Sequence, residues 1–256
     1  MSDSYRPCAL IPVYNHGSTA RAVVAELVAH DLPVILVDDG SRQETKDHLA
    51  AIVAEFPTAS LFTLEQNQGK GGAVAHGLRQ AHALGYSHAL QVDADGQHDL
   101  QEILHFLDTS RADPAAMVCG QPVYDESVPT GRLIGRKFTN FWVAVETQSR
   151  DIPDAMCGFR VYPVAACWRI LGKREISKRM EFDIEILTRL HWLGVRMVFL
   201  PVRVIYPEGG ISNFRMVKDT IAIAGIHTLL FFGMVIRLPL ILGRRIARRS
   251  GPGRRV

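Results

Sequence analysis

Cysteine is scarce: four occur in 256 residues, at Cys8, Cys119, Cys157 and Cys167, and no two form a C-x-x-C pair. Their scatter excludes a disulfide scaffold or a zinc ribbon and fits reduced thiols in a reducing compartment. The ten histidines include no H-E-x-x-H helix pair, which removes a common helical zinc signature. The N-terminus, MSDSYRPCALIPVYN, lacks a basic stretch followed by a long apolar run. No secretory signal is expected there, and the body is expected in the cytosol. Charged residues make up only 21% and aromatics 8%, against 47% hydrophobic residues. That balance excludes a disordered or collagen-like chain and leaves enough apolar side chains for a substantial core.

Acid is missing from one region in particular. Residues 244–256 hold six arginines, Arg244, Arg245, Arg248, Arg249, Arg254 and Arg255, and no acidic residue. Without them 23 basic residues face 26 acidic ones, so the net charge of +3 divides into a mildly acidic body and a strongly basic tail. Nucleic acid is not an expected partner, because such proteins ordinarily carry basic charge on a folded face.

Through the first 120 residues, short apolar runs alternate with helical stretches. The runs at Cys8–Val13, Pro33–Val37, Ala59–Leu64, His88–Val92 and Ala115–Gly120 are rich in Val, Ile and Leu and end in polar or glycine residues, as buried parallel strands do. Helices are expected over Ser18–His30, Arg42–Phe56, Lys70–Leu84 and Leu100–Ser110. Ser41 and Glu44 have capping-box spacing, which predicts a helix start at Arg42. The order implies an α/β fold, a mostly parallel Rossmann-like sheet flanked by helices. Ligands bind such sheets beyond the carboxyl ends of the strands.

The unusual residues fall in those loops. Pro12-Val13-Tyr14-Asn15 follows the first strand and Asp38-Asp39-Gly40-Ser41 the second. Asn67-Gln68-Gly69-Lys70-Gly71-Gly72 follows the third, and Asp93-Ala94-Asp95-Gly96-Gln97 the fourth. The glycine–lysine loop matches neither a Walker P-loop nor G-x-G-x-x-G. Singly, each cluster is as well explained as a turn or cap; together they gather polar groups on one edge of one sheet. Asp93, Asp95 and Gln97 offer hard oxygen ligands suited to Mg²⁺ or Mn²⁺ bridging a diphosphate, where the cation would neutralise a departing nucleotide. Lys70, after a glycine turn, can place a positive charge beside phosphate oxygens. Asp39 can accept hydrogen bonds from a nucleoside and Tyr14 can pack on its base.

IPVYN, VDDGS, NQGKGGAV and DADGQH, in this order, resemble the family 2 glycosyltransferases of GT-A fold. The similarity is greatest to polyprenyl- and dolichyl-phosphate sugar synthases, whose patterns run PxYNE, VDDGS, NxGKGxA and DADxQ. It continues through Asp154-Ala155-Met156-Cys157-Gly158-Phe159-Arg160, like the family's D-x-x-x-G-F-R, and through Glu181-Phe182-Asp183-Ile184-Glu185, Leu193-Gly194 and Leu200-Pro201-Val202. The resemblance implies a nucleotide site at Pro12, Tyr14, Asn15, Val37, Asp39, Lys70, Asp93 and Ala94, with Asp95 and Gln97 joining Asp93 at the metal. Three positions depart from the pattern. His16 replaces a glutamate, Gly120-Gln121-Pro122 replaces G-S-R, and Pro207-Glu208-Gly209-Gly210-Ile211-Ser212 lacks the arginine of R-x-x-G-x-S. Arg132, Arg136, Arg160 and Arg215, with Ser212, are therefore the candidates for an acceptor phosphate.

The acceptor is the ambiguous half. A phosphate is already nucleophilic at neutral pH, whereas a hydroxyl needs a positioned base. Glu181, Asp183 and Glu185 crowd a predicted helix start; acids favour such a turn through the helix dipole alone. The resemblance makes Asp183 the best match for a catalytic base if the acceptor is a hydroxyl.

Thr220–Ile236 contributes 17 positions without a formal charge, followed by Arg237, Pro239 and the apolar Leu238–Gly243. About 20 apolar residues normally span a bilayer, so this stretch is borderline. A single span would place the basic tail opposite the cytosolic body, against the preference of arginine for the cytosolic side. Helices lying in the interface, or dipping and returning at a bend near Gly233 or Pro239, are expected instead. A soluble helix buried in a homo-oligomer is the competing reading.

The expected organisation is thus a GT-A domain over 1–213 and a membrane-associated, basic segment over 214–256. The expected activity is metal-dependent, inverting transfer from a nucleotide diphosphate sugar to a lipid-linked acceptor, polyprenyl phosphate or lipid hydroxyl, on the cytoplasmic face of the cell membrane. A nucleotidyltransferase, or a non-catalytic nucleotide-binding membrane adaptor, are the alternatives.

Overall fold

The computed structural model describes residues 5–94, 100–124, 128, 130–203 and 216–250. Its strands are β1 (Pro7–Val13), β2 (Val34–Asp38), β3 (Ala59–Thr63), β4 (His88–Gln91), β5 (Met117–Val123), β6 (Arg160–Pro163) and β7 (Met197–Arg203). The helices are α1 (Gly17–Ala29), α2 (Gln43–Glu55), α3 (Lys70–Ala83), α4 (Ile103–Ala112), α5 (Thr130–Thr147), α6 (Val164–Leu171), α7 (Glu181–Trp192) and α8 (Met216–Ser250). One sheet runs β3-β2-β1-β4-β6-β5-β7. Only β6 runs antiparallel to its neighbours, pairing Gln91 with Arg160 on one side and Cys119 with Arg160 on the other. The expected α/β architecture is the one observed.

Alternation along the strands divides the core into two layers. Cys8, Leu10, Ile35 and Val37 point into a layer shared with α3, α6, α7 and α8. Ala9, Ile11, Val13, Val34 and Leu36 point the other way, into a layer shared with α1, α2 and α4. Apolar groups on both faces are what a parallel sheet covered by helices requires. Ile226, Leu230, Met234 and Ile241 of α8 lie in the first layer, so the last helix shares the core of the body.

Two local expectations are corrected. The second helix begins at Gln43 rather than Arg42, and no side chain caps it. Ser41 is otherwise engaged: its Oγ accepts the Asn15 amide at 3.0 Å, and its own amide donates to Asp38 Oδ1 at 2.9 Å. Loop-to-loop bonding has replaced the local cap. Nor is the C-terminal stretch divided at Gly233 or Pro239, since α8 is one helix of 35 residues containing Pro239. Its inward face, at Asp219, Ile226, His227, Leu230, Met234 and Ile241, is buried along the body, and that packing offsets the hydrogen bond proline cannot donate.

A close approach explains the glycines opening α3. A Cβ on Gly71 would lie 2.2 Å from Phe182 Cβ and 2.8 Å from the Arg179 carbonyl, atoms that cannot swing aside. Gly71→Ala is expected to lower unfolding free energy by about 1–3 kcal/mol, the usual cost of overpacking, measured by urea denaturation. A variant as stable as the parent would show that α3 and α7 can separate without cost.

Candidate active site

The carboxyl ends of β1, β2, β3 and β4 lie along one edge, and three loops there are bonded to one another. Asn15, in the left-handed region at φ 58°, receives the Arg42 amide on Oδ1 at 3.0 Å while donating its own amide to Ser41. Gly40 has φ 69°, and a Cβ there would lie 2.6 Å from the Asn67 amide nitrogen. Only glycine lets the loops after β2 and β3 touch at that point. Asp39 closes the junction. Its Oδ1 accepts the Gln68 amide at 2.7 Å, and its Oδ2 accepts the Gly69 amide at 2.8 Å and Asn67 Nδ2 at 2.9 Å. Burial pushes the Asp39 carboxyl above its ordinary pKa, while the two amides and the nearby Arg179 guanidinium oppose that rise.

Pro12 and Val37 are register partners on β1 and β2, forming the floor of the edge. Tyr14 stands exposed at its rim. Ala94 is buried, and its carbonyl accepts Thr19 Oγ1 at 2.6 Å, tying the loop after β4 to α1. Lys70, first residue of α3, reaches Asp93 across the edge with Nζ–Oδ2 at 2.7 Å. The Gly158 backbone presses on this pair: a Cβ there would lie 2.7 Å from Lys70 Nζ, 3.0 Å from Gln91 Nε2 and 3.1 Å from Asp93 Oδ2.

Beneath Gly158 lies a buried charge. Arg160 is fully enclosed and pairs through Nη1 with Asp183 Oδ1 at 3.0 Å. Its Nη2 donates to the Ala155 carbonyl at 2.8 Å, and Tyr162 Oη donates to Gln91 Oε1 at 3.0 Å. Burial pushes the Asp183 carboxyl upward; Arg160 and then Lys70 oppose it, while Asp93 and Asp154 add to the rise. These groups therefore share one electrostatic environment under the edge.

The structure brings Pro12, Tyr14, Asn15, Val37, Asp39, Lys70, Asp93 and Ala94 to one edge. Arg136 is turned to Asp154, with Nε–Oδ2 at 2.9 Å, and Asp154 Oδ1 in turn receives the Met156 and Cys157 amides at 3.0 and 2.8 Å. Glu185 receives the Ser177 amide and the Arg189 guanidinium, at 2.8 and 2.6 Å, so it fixes the segment ahead of α7. Asp95, Gln97, Ser212 and Arg215 lie outside the described residues, as does the Arg132 side chain. Among the described residues no cluster of three or more metal-ligating side chains forms. Sequence reasoning missed Arg179, whose Cγ would lie 2.7 Å from a Cβ on Gly69. The signal available was Lys178-Arg179 immediately before the acidic helix start. It missed Gln91 too, a buried amide hidden within an apolar strand.

A family model, Glycosyl transferase family 2, matches residues 8–171. A dolichyl-phosphate beta-glucosyltransferase of Dictyostelium discoideum is 27% identical over 208 residues, covering 74% of this chain and 62% of that protein. The present chain thus spans less than two thirds of that relative's length. An undecaprenyl-phosphate mannosyltransferase of Micrococcus luteus is 26% identical, covering 81% of this chain and 87% of that one. Among solved structures, glucosyl-3-phosphoglycerate synthase from Mycobacterium tuberculosis in complex with Mn²⁺ and UDP-glucose superposes with a TM-score of 0.62 at 14% identity, covering 90% of this chain and 79% of that one. At that identity the likeness is one of fold.

Removing one partner of the enclosed pair strands the other charge. Asp183→Asn is expected to cost about 3–5 kcal/mol of stability, read by urea denaturation, and Arg160→Lys to cost less, because the ammonium keeps the charge opposite Asp183 but loses guanidinium contacts such as that to the Ala155 carbonyl. Unchanged denaturation midpoints in both variants would mean that the pair does not organise the site.

Proposed function

The chain belongs to glycosyl transferase family 2, and from that premise we propose that it moves one sugar from a nucleoside diphosphate sugar to a polyprenyl phosphate at a membrane surface. The names of the Dictyostelium and Micrococcus relatives support a phosphate-bearing lipid acceptor. The observation that carries the choice between phosphate and hydroxyl is the environment of Asp183. Its carboxylate is buried and directed at Arg160, a poor arrangement for removing a proton from an incoming hydroxyl. A phosphate needs no such help, so in this reading Asp183 is a positioning residue.

The reaction is a single displacement. An acceptor phosphate oxygen forms a bond to the anomeric carbon while the carbon–oxygen bond to the diphosphate breaks, and the electron pair leaves with the nucleoside diphosphate. Attack from the opposite face inverts the anomeric centre. Tyr14 covers the base at the rim, Pro12 and Val37 form the floor, and Asn15 and Asp39 hold the loops that enclose the nucleoside. Ala94 positions the loop after β4 through Thr19. Lys70 fixes the Asp93 carboxylate.

The donor set suits a hard divalent cation: Asp93 stands at the edge with its carboxylate oriented by Lys70 and enclosed by Gly158, and Asp95 and Gln97 follow in the same loop. Mg²⁺ or Mn²⁺ held by Asp93, Asp95 and Gln97 would offset the charge that develops on the departing diphosphate. Arg132, Ser212 and Arg215 are assigned to the acceptor phosphate. Arg136 and Arg160 instead orient the segment from Asp154 to Arg160. In this reading the body faces the cytoplasm, where nucleotide sugars are made, and α8 with its basic tail attaches it to the membrane.

Membranes carrying the enzyme, supplied in turn with radiolabelled UDP-, GDP- and dTDP-sugars, are expected to yield a labelled lipid that mild acid cleaves. An acid-stable lipid glycoside would overturn the phosphate assignment, and release of sugar 1-phosphate in place of the nucleoside diphosphate would indicate nucleotidyl transfer. Asp95→Ala is expected to lower turnover by roughly two orders of magnitude or more at unchanged thermal stability. Near-parental transfer by that variant would remove the loop after β4 from the metal site.

A further inference from the structure

The outer faces of α5 and α8 leave large apolar side chains without cover. On α5, Ile134, Phe138 and Phe141 follow helical spacing and are 64%, 59% and 62% exposed. On α8, Ile221, Leu229, Phe232, Val235, Ile236 and Leu240 do the same, reaching 78% at Ile236. The two stripes meet. Trp142 of α5 lies edge-on to Phe231 of α8 with centroids 6.3 Å apart, and these rings touch Phe141 and Phe232 at 5.8 Å on either side. Aromatic side chains therefore run without a break from one helix to the other.

Charge on the two helices selects the occupant. Among the described side chains they carry two acids, Glu146 and Asp219, and both are buried. Glu146 is turned inward to His227, with Oε1–Nδ1 at 2.7 Å. The exposed charges are Lys137, Lys218 and Arg244, and the chain beyond Asp219 contains no acid at all. A second copy meeting this face would bring like charges together. An anionic leaflet would meet apolar side chains with its acyl region and cations with its headgroups.

We propose that α5 and α8 form one lipid-facing surface that lies in the plane of an anionic leaflet. This rests on the membrane attachment proposed above and deepens it in two ways: α5 becomes half of the anchor, and α8 does not cross. Lys218–Arg244 is long and apolar enough to cross a membrane. Yet its inner face is buried against the body from Asp219 to Ile241, so a crossing would drag the packed body into hydrocarbon. In plane, the same contacts are kept. α5 also begins just beyond the carboxyl end of β5, which runs in the same direction as β4. The lipid face therefore starts at the edge that carries Asp93, where a lipid-borne phosphate has to arrive.

The test uses the full chain and phosphatidylcholine vesicles with and without phosphatidylglycerol. The parent is expected to bind the anionic vesicles more tightly than the neutral ones. Phe138→Asp combined with Phe141→Asp should weaken binding at least about tenfold, while the Leu pair at these positions should bind like the parent. Nucleotide-sugar binding in detergent should be unchanged in both. Phe232→Asp combined with Ile236→Asp should weaken binding comparably.

Loss in the α8 variant with none in the α5 variant would overturn the two-helix surface and leave membrane attachment standing. Failure of the parent to bind any vesicle would overturn both. Dissociation of a lipid-free dimer by the α5 changes would make the face a protein interface and also overturn the proposal. The four native cysteines are buried, so spin labels on Phe138→Cys and Leu229→Cys report depth cleanly. Two shallow labels are expected; a label at position 229 near the bilayer centre would restore a crossing helix.

Discussion

A guanidinium taken fully out of water dictates much of this architecture. Arg160 is the first residue of the antiparallel strand β6, which lies between β4 and β5, and no solvent reaches it. Burying an ion without a partner costs several kcal/mol, so the fold must bring an acid to it. Asp183 arrives from the first turn of α7. That requirement sets where α7 docks, and α7 in turn sets how closely Phe182 presses on Gly71 at the start of α3. Lys70 follows directly from that placement, and through Lys70 the position of Asp93. A single buried charge is thus connected, by contacts of ordinary length, to the atoms proposed above to meet a diphosphate.

This arrangement separates holding a site from reacting in it. Asp39 spends both carboxylate oxygens on the glycine loop, and Asn15 spends its side chain and amide on the loop after β2. In the proposed function both can still meet a nucleotide, since a carboxylate or carboxamide oxygen accepts more than one hydrogen bond. Their first effect is to keep three loops at fixed separation before any ligand arrives. Preorganisation of that kind lowers the ordering cost of binding.

Strands were legible in the sequence because a parallel sheet buries both faces and concentrates Val, Ile and Leu into short runs. The edge loops were legible because glycine, lysine and carboxylates interrupted those runs at the same phase. Ser41 shows where local reading stops: its capping-box spacing is real, but a backbone amide from a loop 26 positions away competes for the hydroxyl and wins. Arg160 shows the same limit more sharply. A D-x-x-x-G-F-R string reveals that an arginine is present, not that it is enclosed. Its burial depends on β6 entering the middle of the sheet, a long-range choice no spacing encodes. Gln91 and Arg179 were invisible for related reasons, one lost inside an apolar run and the other in an unremarkable basic loop.

The C-terminal helix is subject to the same long-range packing as Arg160. Read as a string, 17 uncharged positions suggest a weak membrane span, and Pro239 suggests a break. Packing changes both inferences. His227 meets Glu146, Trp192 Nε1 donates to the Glu146 carbonyl at 2.9 Å, and Arg237 lies over the Trp192 ring at 5.0 Å from its centroid. Polar groups that would be costly in hydrocarbon are therefore the ones that bind the helix to the body. Its remaining face is free to be apolar without being a span. A helix fastened by its polar side and bare on its apolar side can attach a body to a surface while leaving the sheet edge beside that surface, which is the geometry an enzyme needs when one substrate dissolves in water and the other never leaves the lipid.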